Sequence, residues 1–346
     1  MARTHRQVRP RTGSPELDAA VVAVVEAAQL RRDEDLLTEM VATVVKIARE
    51  SSDRGDVKIV NTALRELRQS YLTFAPFRDR RKASIFGSAR IAPNTAAYLA
   101  AEHMGAALAA AGWMVITGGG PGIMTAGVEG AGRENSFGIT IRLPFEPPAG
   151  PTVVERDHLV RFRYFFTRKL TFMKESSAYV VFPGGFGTLD ETFELLTLMQ
   201  TGKEPPSPVI LFEPEGNTYW SSWLEFVTRE LVPAGLVAPA DLSLVTITSS
   251  VDDAVAEICD FYANFHSMRW VDDQLVLRLE RPLSAARLAE LQVDFADIVS
   301  SGTLELIGPF PVELEDEDEV DRPRLALRFD NRQFARLTQL VRALSR

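Results

Sequence analysis

The stretch FPGGFGTLDETFE, Phe182 to Glu194, sets three glycines, Gly184, Gly185 and Gly187, just ahead of two adjacent carboxylates, Asp190 and Glu191. Glycines clear side chains from the approach to the backbone. The amide N–H groups of a helix start carry partial positive charge, so a turn of this kind suits a phosphate. A carboxylate next to it is repelled by the phosphate and is free to serve the following group of a nucleotide, the ribose. There it can bind hydroxyls, stabilise positive charge at the anomeric carbon or direct a water at it. A purely local account also exists. Thr188 fits an N-cap with Glu191 three residues later as its capping-box partner, and Asp190 fits a first-turn acid that favours the helix dipole. That account leaves the glycines unexplained. Helical spacing directs Leu189, Thr192, Phe193, Leu196 and Met199 inward.

A second loop has the same logic. In TGGGPGIMTAG, the apolar run MVIT leads into Gly118, Gly119, Gly120 and Gly122, and an apolar helix follows. Neither Lys-Ser nor Lys-Thr comes after the glycines, so this is not a P-loop. The spacing also differs from the dinucleotide fingerprint. A third strand end, FGSAR (Gly87 to Arg90), offers Ser88 beside a glycine. Two glycine loops in one sheet imply one ligand held at two points. The four histidines, His5, His103, His158 and His266, share no ligand spacing, and no zinc or iron site is expected.

The elements that must position these loops are readable as a pattern. Residues 15–76 have apolar positions at helical spacing and form an N-terminal helical segment; residues 1–14 are a basic, disordered tail. From residue 77 onward, six short apolar runs alternate with helical segments: ASIFGSA, WMVIT, GITIRLP, AYVVF, PVILFEP and LSLVTITS. Apolar strands separated by helices predict an α/β fold, a doubly wound parallel sheet covered on both faces. Its ligands sit beyond the carboxyl ends of the strands. Residues 269–346 change character. LVLRLERPLSAARLAEL and LALRFDNRQFARLTQL match in outline, with GTLELIG between them, and predict a small α+β domain of βαββα layout with an internal repeat. The acidic run ELEDEDEVD reads as a solvated loop.

Composition excludes several classes. The chain has 346 residues, 46% of them apolar and 25% charged, the balance of a globular protein with more than one domain. A net charge of −9 argues against a nucleic-acid partner. The apolar run from Ala19 to Leu30 contains Glu26 and is neither a signal segment nor a membrane span. A lone cysteine, Cys259, excludes a disulfide within the chain and leads us to expect a reducing cytoplasm.

PGGFGTLDE resembles the PGGxGTxxE signature of the LOG ("Lonely Guy") family, TGGGPGIM resembles its other glycine loop, and TRK, Thr167 to Lys169, lies upstream as the family's Arg-Lys pair does. The resemblance covers residues 81–265. It implies a Rossmann-like nucleotide-binding fold and a phosphoribohydrolase that cleaves the N-glycosidic bond of nucleoside 5′-monophosphates, cytokinin nucleotides or AMP-like substrates, to free base and ribose 5-phosphate. It also implies Arg168 and Glu191 as the catalytic pair. Gly118, Gly119, Gly120, Gly122, Gly184, Gly185, Gly187 and Thr188 would hold the phosphate, with Ser88 and Lys169 as further substrate contacts. No cofactor is implied, and a homodimer is. Arg168 would orient Glu191 and grip the nucleotide; Asp190, a water or solvent could each protonate the departing base. The chain differs from short plant-type members in carrying FFTRK where they have Met-His before Arg-Lys, and in its extra terminal segments. Members are often labelled lysine decarboxylases, a label that implies pyridoxal phosphate and has no independent support in these residues. A nucleotide-sensing or carrier protein of the same fold without turnover is the alternative reading.

Overall fold

The computed structural model describes residues 10–30, 33–50, 53–142 and 154–345. Residues 1–9 of the expected tail lie outside this set, as do residues 143 and 144 at the end of GITIRLP. Two compact units partition the chain, Met1–Arg68 and Gln69–Arg346. In the first, Ser14 caps α1 (Pro15–Ala28) by accepting from the Leu17 amide, with Pro15 fixing the first turn. α2 (Glu34–Glu50) buries Thr38 and Ala42, and α1 buries Val21 and Val25. α3 (Arg54–Phe74) begins in this unit and ends in the second.

The second unit is built on a parallel sheet. Its elements run β1 (Lys82–Phe86), α4 (Ala96–Ala110), β2 (Met114–Thr117), α5 (Ile123–Ala131), β3 (Ser136–Ile141), β4 (Leu159–Phe162), α6 (Phe165–Glu175), β5 (Ala178–Val181), α7 (Phe186–Gln200), β6 (Val209–Phe212), α8 (Tyr219–Phe226), β7 (Val245–Thr248) and α9 (Val251–Phe261). The sheet has seven strands in the order β4-β3-β2-β1-β5-β6-β7, all paired in parallel. This is the doubly wound α/β fold expected from the apolar runs, with one strand more. β4, the sequence LVRF, pairs with β3 in the register Gly138↔Leu159. Its exposed Arg161 hides it from a search for apolar runs, and an edge position tolerates that charge.

Alternate strand residues feed two cores. Phe86, Met114, Ile116, Phe137, Tyr179 and Val181 pack with Phe172, Leu195 and Met199 on one face. Ala83, Ile85, Val115 and Val180 pack with Tyr98, Met104, Ile123 and Ile258 on the other. Val128, Phe172 and Met173 are all buried in the core. Strand order reverses between β1 and β5, where an open α/β sheet leaves a ligand crevice. The loops after β2, β1 and β5, three adjacent strands, carry the glycine stretches and Ser88.

A second sheet follows, antiparallel and four-stranded: β8 (Phe265–Val271), β9 (Gln274–Leu279), α10 (Ala285–Asp294), β10 (Val299–Ile307), α11 (Pro311–Asp316), β11 (Arg324–Phe329) and α12 (Phe334–Ala343), in the order β10-β11-β9-β8. β8 precedes the expected βαββα pattern and starts ahead of the boundary drawn at residue 269. Its core-facing residues are separated by polar ones, so it lacks the apolar run that marks the others. Leu275, Leu277, Leu325 and Leu327 meet Leu291, Leu337 and Leu340 in one core.

The opposite face corrects the reading of the acidic run. Glu313 lies on α11, fully buried, 2.7 Å from Arg278 Nη2 and 3.0 Å from Arg324 Nε, and Arg278 and Arg324 are register partners on β9 and β11. Asp318 adds contacts to Arg278 (2.6 Å) and Arg269 (2.7 Å). Two buried arginines on neighbouring strands demand carboxylates, and the run supplies them.

Candidate functional site

The loop after β2 is shaped by its neighbours. Gly122, at φ +68°, caps α5, and a Cβ there would sit 2.4 Å from the Ser88 carbonyl oxygen. The left-handed backbone and the close approach both require glycine. The Ile123 amide donates to Ser88 O (3.2 Å), and the Ser88 amide donates to Pro183 O (3.2 Å), so the three loops form one hydrogen-bonded rim. Ser88 Oγ accepts from the Arg90 amide (3.1 Å). The Gly119 amide donates to Thr117 Oγ1 (3.2 Å).

The loop after β5 corrects the capping-box reading. α7 begins at Phe186, its N-cap is Gly185, and no side chain caps it. Thr188 is therefore in the first turn, and Glu191 sits one turn further in, pointing into the site instead of back to the helix end. Glycine is itself an adequate N-cap, so the hydroxyl of Thr188 is not needed there. Among the described residues the first-turn amides have no side-chain acceptor, the arrangement that binds anions. Gly184 packs tightly, since a Cβ there would lie 2.1 Å from Thr188 Oγ1. Gly185 and Gly187 have no heavy atom within 4 Å of a Cβ position, so nothing inside the protein demands glycine at either. The inward face of α7 is Thr188, Glu191, Thr192, Leu195 and Met199. Phe193, expected inside, is exposed.

Arg168, Lys169 and Glu191 come together here. Arg168 donates through Nε to the Ile139 carbonyl (2.9 Å), and its Nη1 is 3.7 Å from Glu191 Oε1. A Cβ on Gly118 would lie 2.7 Å from Arg168 Nη2, so the guanidinium borders the first glycine of the β2 loop. Burial pulls the Arg168 pKa down, and Glu191 opposes it. The Glu191 side chain is only 7% exposed, and its Oε2 accepts no hydrogen bond among the described residues. Burial pushes its pKa up to about 7 against the pull of Arg168 and Lys169, with Asp190 and Glu194 adding to the rise. A carboxyl poised near neutrality suits proton transfer or charge stabilisation at working pH. Lys169 Nζ lies 2.9 Å from Asp190 Oδ2, 2.8 Å from Glu194 Oε2 and 4.0 Å from Glu191 Oε2.

Sequence reasoning missed Tyr219, whose hydroxyl donates to Gly184 O (2.8 Å), and Trp220, whose Nε1 donates to Val181 O (2.9 Å). Both support the β5 loop from α8. They lie more than thirty positions downstream in a helix with no motif, so no local signal marks them. It also missed Glu194 as a partner of Lys169.

A family model described as "possible lysine decarboxylase" matches residues 115–258. The cytokinin riboside 5′-monophosphate phosphoribohydrolase of Mycobacterium tuberculosis is 30% identical over 162 residues, 45% of this chain and 82% of that protein. The chain belongs to the LOG family. The Arabidopsis thaliana LOG1 phosphoribohydrolase is 33% identical over 94 residues, 27% of this chain and 42% of LOG1. The molybdenum cofactor carrier protein of Chlamydomonas reinhardtii aligns over 51% of this chain and 94% of its own at 22% identity, with a TM-score of 0.35.

The decarboxylase description implies pyridoxal phosphate, which needs a lysine able to lose its proton and form a Schiff base. Lys169 is the lysine set against these loops. Burial works against its charge, but the close ion pairs with Glu194 and Asp190 outweigh that and raise its pKa. An ammonium held in this way does not fit the role. Lys82, the buried lysine of β1, starts its strand at the opposite end of the sheet, with Nζ on the Phe77 and Arg80 carbonyls.

Proposed function

We propose that this LOG family member hydrolyses the N-glycosidic bond of a nucleoside 5′-monophosphate, a cytokinin nucleotide or an AMP-like substrate, to free base and ribose 5-phosphate. The observation that carries the reading is the meeting of Arg168 and Glu191 at the edge of two glycine loops, on the strands that flank β1. The phosphate rests on amides of Gly118 and Gly120 and of Gly185–Thr188, with Gly119, whose amide is taken by Thr117 Oγ1, Gly122 and Gly184 shaping the turns and Ser88 on the rim. That leaves the buried carboxyl of Glu191 to face the sugar. As the C1′–N bond breaks, its electron pair leaves with the base, which takes up a proton, and the ribose becomes oxocarbenium-like. Ionised Glu191 stabilises that charge and orients the water whose oxygen bonds to C1′; that water gives up one proton, which balances the one taken up by the base. Arg168, fixed in charge and tied to Ile139 O, holds Glu191 in place and grips the nucleotide.

The test is incubation of the purified protein with AMP, GMP, CMP, UMP and a cytokinin riboside monophosphate, with separation of free bases. Base release that disappears in Glu191→Ala supports the reading. Tight nucleotide binding with no base released from any of them would replace it with a non-catalytic nucleotide carrier.

A further inference from the structure

We propose that Lys169 is a positioning residue: it takes up Asp190 and Glu194 and leaves Glu191 as the one carboxylate of that cluster free to serve the sugar. The inference rests on the reading above and gives its site a further working part.

Three acids, Asp190, Glu191 and Glu194, fall within five positions of α7. Like charges so spaced destabilise a helix, and each makes ionisation of the next harder. Lys169 projects from α6 into this cluster. Its two hydrogen-bond-length contacts go to the flanking acids, at 2.9 and 2.8 Å, while Glu191 Oε2 stays 4.0 Å away. The ammonium thus neutralises the neighbours at short range and still lends Glu191 a cation across the gap. The groups facing Glu191 are Arg168 and Lys169 from α6 and Asp190 and Glu194 from its own helix. The β2 loop borders Arg168 with the uncharged Gly118. Lys169 is held at contact distance by both flanking acids; were it drawn away to a phosphate, they would be left to repel Glu191 and the phosphate alike.

The experiment is the pH profile of kcat/KM for Lys169→Met and for the double variant Asp190→Asn/Glu194→Gln, with the nucleotide that the wild type cleaves best. Loss of the lysine moves the acidic limb upward by about one to three pH units, the usual effect of an opposite charge at this range, with KM little changed. The double variant moves the limb the other way, and it carries the test if Lys169→Met fails to fold. An unmoved limb with KM raised about tenfold or more would make Lys169 a substrate ligand and overturn the proposal. Should the wild type release no base at all, the titration is read directly from carboxyl resonances of 13C-glutamate-labelled protein, with Glu191 assigned by its loss in Glu191→Gln. A shift in the predicted directions there sustains the role of Lys169 even as the catalytic reading fails, and no shift ends it.

Discussion

Glu191 is where stability and chemistry pull against each other. Its carboxyl is held up to about 7, chiefly by burial, against an ordinary value of 4.5. A folded-state pKa above the unfolded one means that the folded protein binds the proton more tightly. The stabilisation is complete at low pH and is lost as pH rises through the interval between the two values. The loss amounts to roughly 3 kcal/mol above pH 7. Glu191→Gln, which mimics the protonated form, is therefore expected to raise the melting temperature at pH 8 and to change it little at pH 5. Melting curves at the two pH values check this. Activity has the opposite sign in the proposed mechanism, where the ionised carboxylate works: kcat/KM should rise with pH up to about 7 and then level off. Glu191→Ala should cost about a hundred- to ten-thousand-fold in turnover while nucleotide binding, followed by calorimetry, largely survives. None of this burial is legible locally, because the capping-box account of Thr188 and Glu191 is complete in the sequence. What signals something more is the unexplained glycines ahead of them.

At the scale of elements, the two kinds of glycine separate cleanly. Gly122→Ala is expected to destabilise the protein, since it combines a left-handed backbone with a Cβ 2.4 Å from Ser88 O. Gly185→Ala meets nothing within 4 Å and has an extended backbone, at φ −90°, so its melting temperature should barely move. Yet its methyl group intrudes on the proposed phosphate seat, and KM for the nucleotide should rise about tenfold or more. Melting curves and steady-state kinetics on the pair give that contrast or refute it. The loops were readable because MVIT and AYVVF are short, apolar and stopped by glycine. β4 was not, because Arg161 interrupts its four residues. The Lys169 contacts were not either: they join two helices about twenty positions apart, and only the packing of α6 against α7 reveals them.

For the molecule as a whole, the doubly wound architecture could be read from the alternation of runs, and the tail-end sheet could be read from its repeat. The repeat also misled. Arg278 and Arg328 occupy matching places in it, but Arg278 is buried on Glu313 whereas Arg328 pairs with Asp273 near the surface. The arginine that shares Glu313 is Arg324, aligned with Arg278 by strand register, not by the repeat. Glu313→Ala would remove the buried carboxylate that two cations share, leaving Arg278 to Asp318 and Arg324 to main-chain carbonyls, and should cost about 3–5 kcal/mol, measurable by urea denaturation; a loss within about 0.5 kcal/mol would return the acidic run to the surface. α12 ties this sheet to α7, since Phe334 lies 2.1 Å from a Cβ position on Gly202, just beyond that helix. Among the described residues no helix is long and apolar enough to cross a membrane. α6 and α7 leave Phe165, Phe166, Leu170, Phe186 and Phe193 exposed, and we expect a homodimer, which light scattering will report.

The central claim is positional, and a crystal of Glu191→Gln with a nucleoside 5′-monophosphate tests it most directly. The account predicts phosphate oxygens within hydrogen-bond reach of the amides of Gly118 or Gly120 and of Gly185–Thr188, and C1′ beside the carboxamide of residue 191. A nucleotide seated away from both loops, or with its pentose turned from that side chain, would contradict it.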